Sequence, residues 1–245
     1  MNKDREKQIL EILLKEKKVN VKDLAGRLYA SEPSIRRDLA NLQKQNLIRR
    51  VHGGAILEEN GISYTKIPFL VRDLENSSEK TVIAKYASAL VKDGDTVFLD
   101  ASSSASRLIP FLTERKQLTV ITSGIQTLKA LAEYGINAIC TGGNSINSCL
   151  SLVGDDALRT IGNYRADICF ISCRGVSNDG ELSDIAIEEN LVRRKMIKRS
   201  KKSYLLCVKD KFNTSYFHKL CDVSDIDGII TSAELPQSLQ KYKVK

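Results

Sequence analysis

The chain has 245 residues, 42% of them hydrophobic and 28% charged, with 38 basic against 30 acidic side chains and a formal net charge of +8. Such a composition excludes a disordered or collagen-like chain, and no apolar run approaches the roughly 18 residues of a membrane span. The positive balance favours a polyanionic partner without naming it.

The opening, MNKDREKQIL, carries no apolar signal segment, so a cytoplasmic protein is expected. Residues 3–17 place Ile9, Leu10, Leu13 and Leu14 at helical spacing. Val19 to Val21 reads as a short extended piece, and a second helix follows with Leu24, Ala25 and Leu28 on its apolar side. After a tight connection, Ser31 suits an N-cap and Pro33 falls in a first helical turn, where its missing N–H costs nothing. The third helix runs to about Gln45, buried along Ile35, Leu39 and Leu42. Residues 47–57 form two short extended pieces around Gly53-Gly54. Residues 58–78 are irregular and read as a linker.

From residue 79 the pattern changes. Apolar β-type runs recur at 96–101, 118–123, 137–143, 167–172, 203–208 and 228–232, with helix-like stretches such as 79–92, 124–134 and 185–200 between most of them. Continuous apolar strands alternating with helices predict an α/β domain with a mainly parallel sheet covered on both faces. The expected division is 1–57, 58–78 and 79–245.

The first 58 residues hold 13 basic and 8 acidic side chains, five of the eight net positive charges. On a helical wheel, Ser34, Arg36, Arg37, Asn41 and Lys44 fall mostly opposite the buried stripe of the third helix. Arg can donate two hydrogen bonds to guanine, and Asn does likewise to adenine. Ser31 at the helix start and the cations Arg49, Arg50 and His52 beside Gly53 suit phosphate contacts. Two short helices and a tight turn ahead of such a helix make a helix-turn-helix, and the extended pieces make its wing. Double-stranded DNA is therefore the expected partner.

In the larger domain, Asp100 and the serines Ser102, Ser103 and Ser104 follow the first apolar strand and precede a helix-like run. Free N–H groups and hydroxyls at such a junction suit an anion, and Asp100 suits sugar hydroxyls. Thr122 and Ser123 end the next strand, Gly142 and Gly143 the one after, and Lys211 stands ready to neutralise a phosphate. Ligands of open α/β sheets bind at those strand ends. The six cysteines form no CxxC pair and read as small buried hydrophobes in a reducing compartment. No cofactor and no metal is expected.

The string SEPSIRRDLANLQKQNLIRRVHGGA resembles the signature of the DeoR family of bacterial repressors, which pairs S-x-x-[ST]-[IV]-R-R-D-L with a wing ending in H-G-G-A. DGDTVFLDASSSA at 93–105, VITSG at 120–124, TGG at 141–143, GDDA at 154–157 and RADICFISCRGVSNDGELSD resemble further blocks of that family. Ser102 stands where most members have Gly, Arg193 where they usually have Lys, and V-K-D-K-F displaces Asp210 from the family's Asp. The resemblance implies a winged helix-turn-helix joined to a domain like the sugar-isomerase and CoA-transferase fold. It implies a repressor of a carbohydrate operon, a small phosphorylated sugar as effector, Arg193 near that ligand, and a homodimer or homotetramer. It also implies that Asp38 orients the two arginines beside it. Two rivals stay open: a sugar-phosphate isomerase using Glu188, Glu189 and Lys211, and an architectural DNA-binding protein without ligand. Lys198, Arg199, Lys201 and Lys202 read as a solvated helix end.

Overall fold

The computed structural model describes residues 2–45, 47–57, 68–146 and 149–244. Two units divide the chain, Met1–Glu75 and Asn76–Lys245. The first contains α1 (Asn2–Glu16), β1 (Lys18–Asn20), α2 (Val21–Arg27), α3 (Glu32–Lys44), β2 (Ile48–Val51), β3 (Gly54–Leu57) and α4 (Phe69–Leu74). Ile9, Leu10 and Leu13 of α1, Leu24 of α2, and Ile35, Leu39 and Leu42 of α3 share one core. Their spacing of three and four residues gives each helix a single apolar stripe.

Both short helices start on side-chain caps. The Asn20 side chain accepts from the Asp23 N–H at 2.6 Å, and Ser31 Oγ accepts from the Ser34 N–H at 3.4 Å. Each cap satisfies an N–H that the helix leaves open and contributes about 1 kcal/mol. In the turn between α2 and α3, Tyr29 is left-handed, with φ of 48°, and 98% exposed. β3 lies between β1 and β2, antiparallel to both. Gly54 is required there, because a Cβ would come within 2.0 Å of the Val19 carbonyl oxygen.

Of the stretch 58–78, residues 58–67 lie outside the described residues. The rest is not irregular: α4 carries Val71 and Leu74 into the core of the first unit, and Ser77 already begins the next helix. Charged neighbours masked a helical spacing of Leu70, Val71 and Leu74 in the sequence.

The second unit contains α5 (Ser77–Ser88), β4 (Thr96–Leu99), α6 (Ser103–Ser106), β5 (Thr119–Thr122), α7 (Ile125–Glu133), β6 (Ala138–Cys140), β7 (Asn144–Ile146), β8 (Ser151–Val153), α8 (Asp155–Gly162), β9 (Ala166–Ile171), β10 (Gly175–Val176), β11 (Glu181–Asp184), α9 (Ile187–Lys198), β12 (Ser200–Leu206), β13 (His218–Asp222) and β14 (Gly228–Ile230). The six apolar runs seen in the sequence supply the six strands of one parallel sheet, ordered β14-β12-β9-β4-β5-β6. Side chains alternate across it. Val97, Leu99, Ile168, Phe170 and Leu206 pack with Ile83, Ala84 and Ala87 of α5 on one face. Phe98, Cys169, Ile171 and Leu205 pack with Ala157 and Ile161 of α8 and Val192 and Met196 of α9 on the other. Burial on both faces is why these strands read as unbroken apolar runs. Two smaller sheets, β7-β8 and β10-β11-β13, complete the unit.

The chain builds outward from β4 in one direction and from β9 in the other, so the strand order reverses between these two neighbours. In open α/β sheets such a switch point opens a crevice at the carboxyl ends of the strands.

All six cysteines are free, five buried and Cys140 half-buried. Burial pushes the Cys173 and Cys221 thiols up to about 12, so they stay protonated and unreactive at neutral pH. Among the described residues, no helix is long and apolar enough to cross a membrane.

Candidate functional site

Two regions carry the chemistry, one in each unit. In the first, α3 exposes Arg36 and Arg37 in its N-terminal half and Lys44 near its end. Among the described residues, Arg36 pairs with Glu32 of its own helix in an exposed ion pair, Nη2 to Oε2 at 3.3 Å. Ser34 is half-buried, and its hydroxyl lies 2.9 Å from that of Ser31. His52 and Gly53 are exposed at the turn of the β2–β3 wing, and Arg49 is exposed on β2.

Three placements differ from expectation. Asn41 does not lie on the exposed face: it is half-buried and its amide donates to Glu6 Oε1 of α1 at 3.2 Å. A wheel about one helix axis cannot show that α1 covers this flank. Asp38 is fully buried and pairs with Arg5 of α1, so it ties α3 to α1 and does not orient Arg36 or Arg37. Arg50 is half-buried, with its Nε out of solvent, because alternation along β2 turns it away from the side that Arg49 faces.

In the second unit, the polar residues meet at the switch point. Asp100 directly follows β4. One of its oxygens, Oδ1, accepts from the Ser102 N–H at 3.0 Å, and Oδ2 accepts from the Ser172 N–H at 3.1 Å and from Arg193 Nε at 2.9 Å. The protein itself thus engages both Asp100 oxygens. Arg193 lies on α9, 4% exposed, and also donates through Nη1 to Asp184 Oδ2 at 2.9 Å and to Asn190 Oδ1 at 3.2 Å. Glu189 Oε2 stands 3.8 Å from Arg193 Nη2. Burial opposes the charge of this guanidinium, but the fields of Asp184, Glu189 and Asp100 outweigh it and hold its pKa above the usual value.

A narrow cleft, partly open to solvent, lies against this cluster. Asp100, Ala101, Ser123, Ser151, Glu189 and Arg193 line it, with Leu152, Val153 and Val192 as its apolar wall. It is far smaller than the ~300–1,000 Å³ of sites for drug-sized ligands. Two polar atoms beside it, Ser151 Oγ and Glu189 Oε1, are buried without a hydrogen-bond partner among the described residues.

Of the expected ligand residues, Asp100, Ser123 and Arg193 therefore share one cleft. Ser102, Ser103 and Ser104 are buried at the start of α6, where Ser102 Oγ accepts from the Ala105 N–H at 3.1 Å. Buried Lys80 donates to Ser103 Oγ at 3.2 Å. Lys211 is half-buried and donates to Ser172 Oγ at 2.7 Å, next to Asp100 but not in the cleft lining. Thr122 Oγ1 accepts from the Gly124 N–H at 3.0 Å. Gly142 and Gly143, with φ of +67° and +102°, turn the chain into β7.

Sequence reasoning missed Ser151, Ser172, Asp184 and Lys80 as members of this region and singled out Glu189 only as an acid or base. Ser172 ends a strand run as Asp100 and Ser123 do, so the same rule identifies it. Glu188, by contrast, is exposed. The expected solvated helix end of Lys198, Arg199, Lys201 and Lys202 is met in part: Arg199 is half-buried, and Lys201 and Lys202 lie on β12. Arg193 is the buried hub, Arg194 donates to the carbonyls of Lys219 and Leu220, and Arg199 donates to that of Tyr164 at 2.8 Å. Lys198, Lys201 and Lys202 are exposed, and Lys201 pairs with Asp167 at 2.7 Å.

Residues 5–60 match the model of the DeoR-like helix-turn-helix domain, and residues 75–233 that of the DeoR C terminal sensor domain. The HTH-type transcriptional regulator GolR of Listeria innocua is 34% identical over 97% of this chain and 93% of its own length. The glycerol-3-phosphate regulon repressor of Escherichia coli is 26% identical over 95% of this chain and 92% of its own. Among solved structures, eIF2B delta of Chaetomium thermophilum matches 68% of this chain and 62% of its own with a TM-score of 0.50 at 18% identity, a likeness of fold alone. Ribose 5-phosphate isomerase A of Methanocaldococcus jannaschii matches 56% and 55% with a TM-score of 0.44 at 19% identity.

Proposed function

Because the chain belongs to the DeoR family of transcriptional regulators, we propose that it represses a carbohydrate-metabolism operon and that a small phosphorylated sugar sets its operator affinity. The observation that carries this reading is the union, in one chain, of a capped helix with two exposed arginines and a sensor unit whose polar cleft sits at the sheet's switch point. Ser34, Arg36 and Arg37 read base edges, since the N-terminal half of such a helix enters the major groove. Ser31, Lys44, Arg49, His52 and Gly53 position the backbone of the DNA. Two copies in a homodimer, or a homotetramer built from such pairs, present two reading helices to two half-sites.

The effector's phosphate lies toward Lys211 and the serine loop, and its remaining atoms enter the cleft. The glycerol-3-phosphate regulon repressor acts on a regulon named for a phosphorylated metabolite, which supports a phosphorylated ligand here. Coupling between the two sites requires different effector affinities in the two states, commonly worth about 1–3 kcal/mol. An isomerase-like fold does not by itself bring turnover.

A thermal-shift screen of the full chain against sugar phosphates tests the reading. A ligand at about 100 times its dissociation constant adds ~2.7 kcal/mol of stability. Lys211→Ala should bind operator as the wild type does and lose the response to the ligand found. A panel that neither shifts the melting temperature nor changes operator affinity would sink the effector reading. At the wing, Arg49→Ala should weaken binding to all DNA sequences about equally and flatten the log–log salt slope by roughly 0.9. Titrations of operator and unrelated DNA at several salt concentrations check this. A loss confined to one operator base would make Arg49 a base reader.

A further inference from the structure

We propose that the cleft beside Arg193 receives the uncharged, hydroxyl-bearing end of the effector, with Glu189 Oε1 and Ser151 Oγ as its hydrogen-bond partners. This rests on the effector reading above and names which part of the ligand lies here. The charge balance at this end disfavours the phosphate. Asp100, Asp184 and Glu189 face Arg193, and Arg174 is the second guanidinium, 3.5 Å from Asp184. Three carboxylates surround two guanidiniums, the Lys211 ammonium stands on the far side of Ser172, and both Asp100 oxygens are already engaged. A phosphate dianion placed here meets like charge in a buried setting, where repulsion is least screened.

The orphaned atoms say what fits instead. Glu189 is 7% exposed and Ser151 1% exposed, yet Glu189 Oε1 and Ser151 Oγ have no partner among the described residues. An ionised carboxylate only accepts, and a serine hydroxyl both accepts and donates. A ligand hydroxyl donating to Glu189 with a neighbouring one bonded to Ser151 satisfies both. Glu189 sits in the first turn of α9, where the helix dipole favours its negative charge, and Ser151 begins β8, so two elements grip the diol from different sides. Leu152 and Val192 offer apolar contact to the carbon skeleton.

Isothermal titration of the full chain with D-ribose 5-phosphate, D-fructose 6-phosphate, glycerol 3-phosphate and inorganic phosphate tests this. Glu189→Gln and Ser151→Ala should each weaken the tightest-binding sugar phosphate by about tenfold or more, and leave inorganic phosphate within about twofold of wild type. Ser151→Ala without ligand should melt at or above the wild-type temperature, because the hydroxyl it loses has no partner in the free protein; a lower melting temperature assigns that hydroxyl a structural bond and overturns its role here. Wild-type affinity of both variants for the sugar phosphate overturns the proposal and leaves the effector reading standing. Equal losses for the sugar phosphate and for inorganic phosphate also overturn it, by placing the phosphate in this cleft. A wild-type chain that binds none of the three sugar phosphates overturns the effector reading and this inference with it.

Discussion

Replacing Arg193 by Met should destabilise the sensor unit by about 3–5 kcal/mol, the usual effect of removing one partner from a buried ionic cluster. The side chain is 4% exposed and binds Asp100 and Asp184 at 2.9 Å each. Without it, those carboxylates and Glu189 remain buried, with Arg174 against Asp184 and Lys211 beyond Ser172 as neighbouring cations. Against a typical total stability of about 5–15 kcal/mol, such a loss shifts a urea midpoint far to the left. Arg193→Lys should fall between, because an ammonium keeps the charge but cannot donate along the guanidinium's fixed directions. Adding Asp184→Asn to Arg193→Met should recover part of the loss by removing one stranded charge. A single Met variant as stable as the wild type would show that the cluster contributes nothing net to the fold.

The second large effect is expected at the operator. Each base contact by arginine is worth about 1–3 kcal/mol, so Arg36→Ala with Arg37→Ala should weaken specific binding by about 2–6 kcal/mol if the two act independently. Arg36 gives up little to reach DNA, since its pair with Glu32 is exposed and worth at most about 1 kcal/mol. Asn41→Ala serves as the comparison. Its amide is committed to Glu6, so its effect should fall on folding of the first unit more than on base preference. Gel shifts with the operator and with single-base variants separate the two cases. If the double variant bound the operator with unchanged affinity, α3 would not be the reading helix.

The large sheet was legible because its physics is simple. A strand buried on both faces must be apolar throughout, and Val97 to Leu99 or Cys169 to Ile171 announce themselves. The third helix was legible for the same reason along Ile35, Leu39 and Leu42, and its cap at Ser31 was visible as a residue type in the right place. The small strands were not. β10 has two residues and β7 three, too short for any period to show. The flank of α3 that holds Asp38 and Asn41 was misjudged because only the packing of α1 reveals where Arg5 and Glu6 lie. The cleft was half legible. Strand ends pointed to Asp100 and Ser123, but nothing local in the sequence tells Arg193 that its partner stands 93 residues earlier.

The strand order of the sensor sheet has a consequence for how the unit is assembled. β4, β5 and β6 pair in sequence, as do β9, β12 and β14, so each half closes only short loops. One seam joins them, β4 against β9, where Val97 meets Ile168 across 71 residues of chain. Closing that loop costs more chain entropy than any pairing within either half, by about 0.6 kcal/mol for each doubling of loop length. The Asp100–Arg193 bond crosses the same seam. The ionic hub thus pins the two halves of the sheet to each other at the strand pairing with the largest separation along the chain.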